Sequence, residues 1–310
     1  MIALELSAGL ALLAAICSAF QAIAVEYGLD SSDVTGQRSP ALVAAVVSIV
    51  VSVVVFWTLL AVRGVSIDGI AVGDVAPFAV AGLANPAVFR LLYFRSIDRI
   101  GARLSAAVVS ANPAVAALLA LPLFGEPFTL LTGIGLACIV AGGIVLQILG
   151  NSATAETDLL VDELADVQPR DIVVPGIAMA MLGISFVLVK IGLNRHSDPL
   201  LGTAIGQTAA LVAFVVLFGV SSETRLKLRI RSRTALLAFT LAGVFVAGNW
   251  LAWFSALQLG TVVTVVPLSN TYPLFIVAIS YLLARQVPRS PRVISGIVFI
   301  VIGATLMQLA

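Results

Sequence analysis

Charged residues are scarce in this sequence of 310 residues. Asp, Glu, Lys and Arg make up 11% of it and hydrophobic residues 60%, whereas soluble domains carry about 25% charged residues. The 17 basic and 16 acidic side chains nearly cancel, so no basic excess is present for binding nucleic acid. This composition excludes an ordinary soluble enzyme and indicates a protein whose solvent is the lipid bilayer.

Residues that carry metal or redox chemistry are equally few. The two cysteines, Cys17 and Cys138, lie in apolar runs, where a role in packing is expected, and the single histidine, His196, lies in a short loop. No His-Glu-x-x-His motif and no glycine-rich phosphate loop with a terminal Lys occurs. The sequence therefore predicts no enzyme activity, no metal, no cofactor and no use of ATP by this chain.

Long apolar runs recur along the whole chain instead. A helix needs about 20 apolar residues to cross roughly 30 Å of hydrocarbon, and ten runs meet this requirement. They are Leu6–Val25, Ala41–Val62, Val75–Phe94, Leu104–Phe124, Phe128–Leu149, Ile172–Ile191, Leu200–Val220, Thr234–Ala256, Thr261–Ala284 and Val293–Leu309. We expect an all-α membrane protein with ten transmembrane spans, numbered one to ten below.

The first five spans resemble the last five. Pro113 aligns with Pro273 at an offset of 160, and Gly135 and Gly142 align with Gly296 and Gly303 at an offset of 161. Five is an odd number, so the second copy must enter the membrane from the opposite side, which makes the chain an inverted repeat. The predicted organisation is a first repeat at 1–150, an acidic linker at 151–171 and a second repeat at 172–310.

Basic residues in the loops are distributed very unevenly. Loops after odd-numbered spans contain thirteen Lys and Arg residues, and loops after even-numbered spans contain only Arg63 and Arg195. Because Lys and Arg concentrate on the cytoplasmic side, this bias predicts a cytoplasmic linker and both termini outside the cell membrane.

Several short motifs resemble those of a known transporter family. Gly183-Ile-Ser-Phe-Val-Leu-Val-Lys190 is similar to the motif of the first helix of an EamA repeat, and Ser18 to Glu26 is a longer copy that ends in Glu. Leu104 to Pro113, followed by Leu123-Phe-Gly-Glu126, is similar to the fourth helix with its closing Gly-Glu; the second half instead reads Ala284-Arg-Gln286. Across essentially the whole chain, the pattern resembles the ten-helix EamA-type members of the drug/metabolite transporter superfamily.

This resemblance implies a carrier for small organic solutes such as amino acids, often acting outward. It also implies a pathway on the axis between the halves, formed by spans one, three, four, six, eight and nine, with spans five and ten as support. The family is generally described with cytoplasmic termini, which conflicts with the loop charges. The expected partners are a small organic solute and the lipid bilayer.

Charged groups at the span ends are the first candidates for the pathway. An ionisable group in hydrocarbon costs about 2.5–3.5 kcal/mol on insertion scales. Glu26 and Arg90 end two parallel spans, so we hypothesise that they pair at one mouth, while Lys190 and Asn249 occupy the corresponding places at the other mouth. The alternatives are snorkelling for Arg90 and a solvated interfacial charge for Glu26 and Lys190.

Polar groups deeper in the spans are the second candidates. Asn112 precedes Pro113, and Asn270 and Tyr272 precede Pro273, so two aligned prolines could interrupt helices where carriers bind solutes. The alternative is that each proline only kinks its helix, which is the commoner role of a single proline in a span. Trp253 is the preferred aromatic residue for stacking on a flat solute, with an interfacial belt as the alternative.

The sequence predicts the transport mechanism in less detail than the architecture. We expect alternating access. The sequence leaves the driving ion open: Glu26 is the best candidate for proton coupling, and facilitated exchange without a coupling ion is the alternative. The alternative to a carrier is a channel-like protein or a membrane partner without transport activity. The sequence leaves the oligomeric state open.

Overall fold

A computed structural model describes residues 2–30, 40–65, 70–149, 169–220, 232–284 and 291–309 of the chain. Within these ranges the regular structure is helical and includes no strand. The α-helices are α1 Ile2–Asp30, α2 Pro40–Val62, α3 Val72–Gly82, α4 Phe89–Val109, α5 Asn112–Phe124, α6 Leu130–Leu149, α7 Val173–Arg195, α8 Pro199–Val220, α9 Arg233–Leu259, α10 Val262–Ser269, α11 Tyr272–Ala284 and α12 Pro291–Leu309.

These helices form the ten predicted spans in the predicted order. Eight stretches are long and apolar enough to cross a membrane, and two shorter apolar stretches, Leu130–Leu146 and Ile294–Leu309, complete the set. The helices that contain the shorter stretches, α6 and α12, have 20 and 19 residues, which suffices for a span. The prediction of an all-α protein with ten spans is confirmed. Most of the acidic linker, at 151–168, and the loops at 221–231 and 285–290 lie outside the described residues.

The third span is longer than predicted and is interrupted. A π-helical segment, Leu83–Val88, separates α3 from α4, and within it Asn85 has an extended backbone (φ −145°, ψ 120°) before a cis bond to Pro86. Helix α4 then turns at Gly101, whose φ of 78° suits a residue without a Cβ. The third span therefore reaches Ile100 rather than Phe94, and the fourth span begins after Gly101.

The chain forms two compact units, and each draws on both repeats. The first unit comprises Met1–Ala87 and Leu188–Leu259, and the second comprises Val88–Val187 and Gly260–Ala310. The first unit thus holds α1, α2, α3, α8, α9 and the end of α7. The second holds α4, α5, α6, α10, α11, α12 and the beginning of α7.

Small residues hold the first unit together. Along α1, Ala11, Ala14, Ala15 and Ala19 are fully buried, and α1 packs against α9. Without a hydrophobic driving force between helices in lipid, such small side chains let backbones approach closely enough for van der Waals packing.

Two contacts in the first unit repeat the same geometry. A Cβ added at Gly28 would lie 2.5 Å from the ring of Phe239, and one added at Gly192 would lie 2.5 Å from the ring of Phe78. Gly28 ends span one and Phe239 begins span eight, while Gly192 ends span six and Phe78 begins span three. The contact of span one with span eight thus matches the contact of span six with span three, as a twofold relation between the repeats requires.

The second unit shows the same relation in two glycine pairs. On α6 and α12, Gly135 lies against Gly303, and Gly142 lies against Gly296. In sequence, however, Gly135 aligns with Gly296 and Gly142 with Gly303. The exchange of partners means that α6 and α12 run antiparallel about a local twofold axis, as an inverted repeat predicts.

Candidate solute-binding site

Two spans of the second unit are interrupted at matched prolines. Only two residues separate α4 from α5 in the fourth span, and only two separate α10 from α11 in the ninth. Helix α5 begins with Asn112 and Pro113, and α11 begins with Tyr272 and Pro273. Proline suits a first helical turn because its φ is fixed and it has no N–H to satisfy there, and it cannot continue the helix before it.

The side chains at the two interruptions are joined by hydrogen bonds. Asn112 Nδ2 donates to the carbonyl oxygen of Val109 at 2.9 Å and to Asn270 Oδ1 at 3.2 Å. Asn270 Nδ2 in turn donates to the carbonyl oxygen of Val266 at 2.8 Å. The fourth and ninth spans thereby contact each other through their polar residues.

One acceptor in this group has no partner. Asn112 is 2% exposed, and its Oδ1 is buried without a hydrogen bond to any described residue. A buried acceptor left unsatisfied costs about 1–3 kcal/mol. An acceptor of this kind in an otherwise satisfied group favours a role in binding.

A cavity of about 260 Å³ lies at the interruptions. Its polar and aromatic lining consists of Phe89, Tyr93, Ser110, Asn112, Asn270 and Tyr272. The rings of Phe89 and Tyr93 stack with centroids 5.6 Å apart. Since an engineered apolar cavity of about 150 Å³ takes up benzene, this one has room for a larger organic molecule.

The loop after the fourth span fixes the start of the ninth. Gly125 ends α5 with a φ of 61°, and Glu126 follows it. Glu126 Oε1 accepts from the N–H of Val262 at 2.8 Å, and Oε2 accepts from the N–H of Val263 at 2.9 Å. The first N–H groups of a helix have no partner within it and favour negative charge, so Glu126 caps α10 from another span.

Four of the sequence-predicted site residues belong to the first unit, where two of them bind neighbouring helices. Asn249 Nδ2 donates to the carbonyl oxygen of Ala14 at 2.8 Å and to Ser18 Oγ at 2.7 Å. Lys190 Nζ donates to the carbonyl oxygen of Leu257 at 2.6 Å. Trp253 is buried among aromatic rings, 5.6 Å from Phe254 and 5.9 Å from Trp250 by centroid, and Glu26 is exposed.

The other six belong to the second unit. Asn112, Asn270, Tyr272 and Pro273 line the cavity together. Pro113 is buried beside Asn112, and Arg90 is half-buried next to Phe89 without lining the cavity. Since Glu26 and Arg90 belong to different units, their pairing stays a prediction.

Sequence reasoning predicted this site only in part. Phe89 lines the cavity, although no motif marks it. Ser110 and Tyr93 also line the cavity; the sequence offered them only with commoner alternatives, a packing contact between helices for an isolated Ser and an interfacial belt for an aromatic residue near a span end. Glu126 was part of a motif, but the partners of its carboxylate lie 136 and 137 residues away, and no local pattern predicts such a contact.

Comparison with known proteins agrees with this architecture. A solved crystal structure matches with a TM-score of 0.76 at 15% sequence identity, covering 98% of this chain and 96% of that one, which shows a shared fold. No curated protein matches the sequence. The EamA-like transporter family matches residues 6–148 and 173–309, one match in each half of the chain. This multi-pass membrane protein therefore belongs to the EamA-like transporter family, whose members carry small solutes across membranes.

Proposed function

We propose that this protein is a secondary transporter that exports small organic metabolites, such as amino acids, across the plasma membrane by alternating access. The solute binds in the cavity at the two helix interruptions. The protein acts as a carrier and not as an enzyme, so the solute leaves chemically unchanged.

The observation that carries the proposal is the hydrogen bond between the side chains of Asn112 and Asn270. The two side chains stand at matched interruptions of the fourth and ninth spans and form a hydrogen bond of 3.2 Å beside a cavity of about 260 Å³. Broken helices near the midplane are where secondary transporters place their binding sites, because freed backbone groups and polar side chains converge there.

The arrangement also supports a change between two states. Each interruption leaves short helices that can tilt separately, and hinge positions of this kind absorb the dihedral changes that opening a site requires. Motion of one repeat against the other would then expose the cavity to each side in turn.

The loop charges supply the orientation of the proposed carrier. The sequence-predicted loops contain thirteen Lys and Arg residues after odd-numbered spans and two after even-numbered spans. Arg95 and Arg99 lie at the end of the third span, which reaches Ile100, and the other eleven still favour a cytoplasmic position for the loops after odd-numbered spans and an outside position for both termini. Arg99, which is exposed, provides a test through Arg99→Cys. A membrane-impermeant thiol reagent should label this cysteine in inverted vesicles and not in intact cells; the reverse pattern would establish the opposite orientation.

Exchange in proteoliposomes tests transport itself. Purified protein is reconstituted with labelled amino acids and a broad set of metabolites inside, and efflux is followed with and without unlabelled solute outside. A carrier gives saturable efflux that is accelerated by external solute. Asn112→Ala should lower the rate at subsaturating solute, while the matched control Ser52→Ala, a buried polar change in the first unit, should not.

The other functional classes give different results in this assay. A channel-like protein would give efflux that neither saturates nor accelerates with external solute. An enzyme would convert the solute, and a membrane partner without transport activity would leave every solute in place. Any of these three results would refute the proposal.

Proton coupling is proposed for Glu26. If its carboxylate couples transport to protons, Glu26→Gln should abolish the response to a pH gradient and retain solute exchange. Unchanged dependence on the gradient in this variant would remove Glu26 from that role.

A further inference from the structure

We propose that the cavity of the second unit binds the uncharged part of its solute and accepts a hydrogen bond from a solute N–H or O–H group at Asn112 Oδ1. This inference rests on the proposed function and narrows the solute from metabolites in general to those with an uncharged, ring-sized group that carries a donor. Three features of the described residues support it.

The orientation of the Asn112 amide is set by its neighbours. Asn270 Nδ2 donates to the carbonyl oxygen of Val266 at 2.8 Å, which leaves Asn270 Oδ1 as an acceptor facing Asn112. The carbonyl oxygen of Val109, 2.9 Å from Asn112 Nδ2, is a second acceptor. Turning the Asn112 amide over would set its oxygen against both acceptors, so Nδ2 occupies that side and Oδ1 remains the free acceptor.

A solute donor is the partner that this oxygen lacks. Asn112 lines the cavity and is 98% buried, being 2% exposed, and its Oδ1 has no hydrogen bond within the described chain. An amide oxygen only accepts, so its partner must donate. A site built to hydrogen-bond a solute discriminates strongly against an analogue without that group, because the buried protein group is then left unpaired.

The lining selects against ionised groups. The described residues around the cavity include no Asp, Glu, Lys, Arg or His. An ion that enters such a site loses its hydration without gaining a countercharge, which is far more costly than burial of a neutral amide. The charged ends of an amino acid would therefore lie outside the cavity, with only its side chain inside.

The apolar part of the lining fits a ring. Phe89 and Tyr93 present stacked rings tilted by 19° to each other, and Tyr272 and Pro273 add flat surfaces from α11. Aromatic groups bind such surfaces by offset or edge contacts. At about 260 Å³, the cavity exceeds the roughly 150 Å³ that takes up benzene, so a single substituted ring can be enclosed.

Four small probes of similar size separate these features. Benzamide is neutral and carries two amide N–H donors, N,N-dimethylbenzamide is neutral without a donor, benzoate is an anion and benzylammonium is a cation. Their dissociation constants are measured by calorimetry on the full-length protein in lipid nanodiscs. We expect benzamide to bind at least about tenfold more tightly than each of the other three, which corresponds to about 1.4 kcal/mol.

A variant assigns the preference to Asn112. In Asn112→Leu, benzamide and N,N-dimethylbenzamide should bind equally, because the acceptor is gone. Ser52→Ala is the matched control, since Ser52 is a buried polar residue of the first unit, and it should keep the full preference. If Asn112→Leu does not fold, Asn112→Asp provides the second test: it keeps an acceptor and adds a charge, so benzylammonium should become the best probe.

The outcomes separate this inference from the proposed function. Equal binding of all four probes, tighter binding of either ion, or no binding of any probe would overturn the inference, as would a benzamide preference retained in Asn112→Leu. Saturable exchange of another solute would leave the carrier in place despite such a result. Conversely, selective benzamide binding without exchange of any solute would uphold the cavity's chemistry and refute transport.

Discussion

Asn249 and Asn112 are the same residue type on apolar spans, yet their surroundings differ completely. In the first unit, the Asn249 amide donates to Ala14 and to Ser18 at 2.8 and 2.7 Å, between helices α9 and α1 that pack through small residues. In the second unit, Asn112 stands at a helix interruption beside a cavity, and its Oδ1 has no partner among the described residues.

The contrast separates two uses of a polar side chain in lipid. An amide between continuous, closely packed helices contributes an interhelical hydrogen bond, which is its commonest role there. An amide at a helix interruption beside open volume retains hydrogen-bonding capacity for a ligand. Asn249 thus contributes to helix packing in the first unit, whereas the surroundings of Asn112 in the second unit support the proposed binding site.

The largest effect is expected where the first unit has no spare volume. A Cβ added at Gly82 would overlap the backbone of Gly206, whereas one added at Gly143, beside the cavity, would meet only Ser110 at 3.7 Å. Gly82→Ala should therefore destabilise the protein by about 3 kcal/mol or more, because backbone cannot move aside as a side chain can. Gly143→Ala should keep the wild-type melting temperature to within a few degrees.

Thermal unfolding in detergent, with the yield of monodisperse protein, measures this difference. Gly9→Ala is the control for the loss of a helical glycine, since a Cβ at Gly9 would meet nothing within 4 Å. Equal melting temperatures for Gly82→Ala and Gly143→Ala would remove the proposed contrast in packing.

A smaller effect is expected at the cap of α10. Glu126→Ala leaves the N–H groups of Val262 and Val263 without their carboxylate and should cost about 1–2 kcal/mol. Glu126→Gln keeps one acceptor oxygen and should lose about half of that. If the two variants unfold at the same temperature as the wild type, the carboxylate does not stabilise the start of the ninth span.

The comparison of the two asparagines predicts a still smaller difference in stability, between Asn249→Ala and Asn112→Ala. Asn249→Ala removes two hydrogen bonds between α1 and α9 and should cost about 1 kcal/mol, within the range measured for interhelical bonds in membranes. Asn112→Ala should cost less, because it also removes an unsatisfied buried acceptor, while it weakens solute binding. Thermal unfolding should show the larger loss of stability in Asn249→Ala, and exchange kinetics should show the weaker solute binding in Asn112→Ala. A larger loss of stability in Asn112→Ala than in Asn249→Ala would contradict the prediction.

The fold could be predicted from the sequence because the hydrocarbon core of the bilayer imposes a length and an apolar composition on every span. The aligned prolines Pro113 and Pro273 also marked two helix interruptions. Proline alone does not mark one, because Pro77, Pro122 and Pro267 lie inside helices that continue through them. The third span was less predictable, because the helix continues beyond Phe94 through Arg95 and Arg99, whose charges mark the end of the apolar run but not the end of the helix.

Only part of the candidate site could be predicted from the sequence. The residue types at Asn112, Asn270 and Tyr272 indicated a binding role, and the sequence also made Asn249 a candidate, at one mouth of the pathway. The structure shows Asn249 bonded between helices and the other three lining the cavity. The contact of Glu126 with α10 depends on how distant spans meet, and this is encoded in the shapes of many side chains rather than in one motif.

The smallest expected effect is the difference in stability cost between alanine substitutions at two equivalent glycines of the first unit. Gly28→Ala and Gly192→Ala each place a Cβ 2.5 Å from the edge of a phenylalanine ring, Phe239 or Phe78, and each should cost about 1–3 kcal/mol because the ring must shift. If the two contacts are related by the twofold of the inverted repeat, the two costs should agree to within about 0.5 kcal/mol. The two glycines also contact different residues, Phe239 and Ala238 for Gly28 and Phe78 for Gly192, so the double variant should show nearly the sum of both costs. Melting temperatures of the two single variants and the double variant, measured under one condition, give all three values. Unequal single costs would mean that the inverted repeat preserves the path of the helices but not the tightness of their packing.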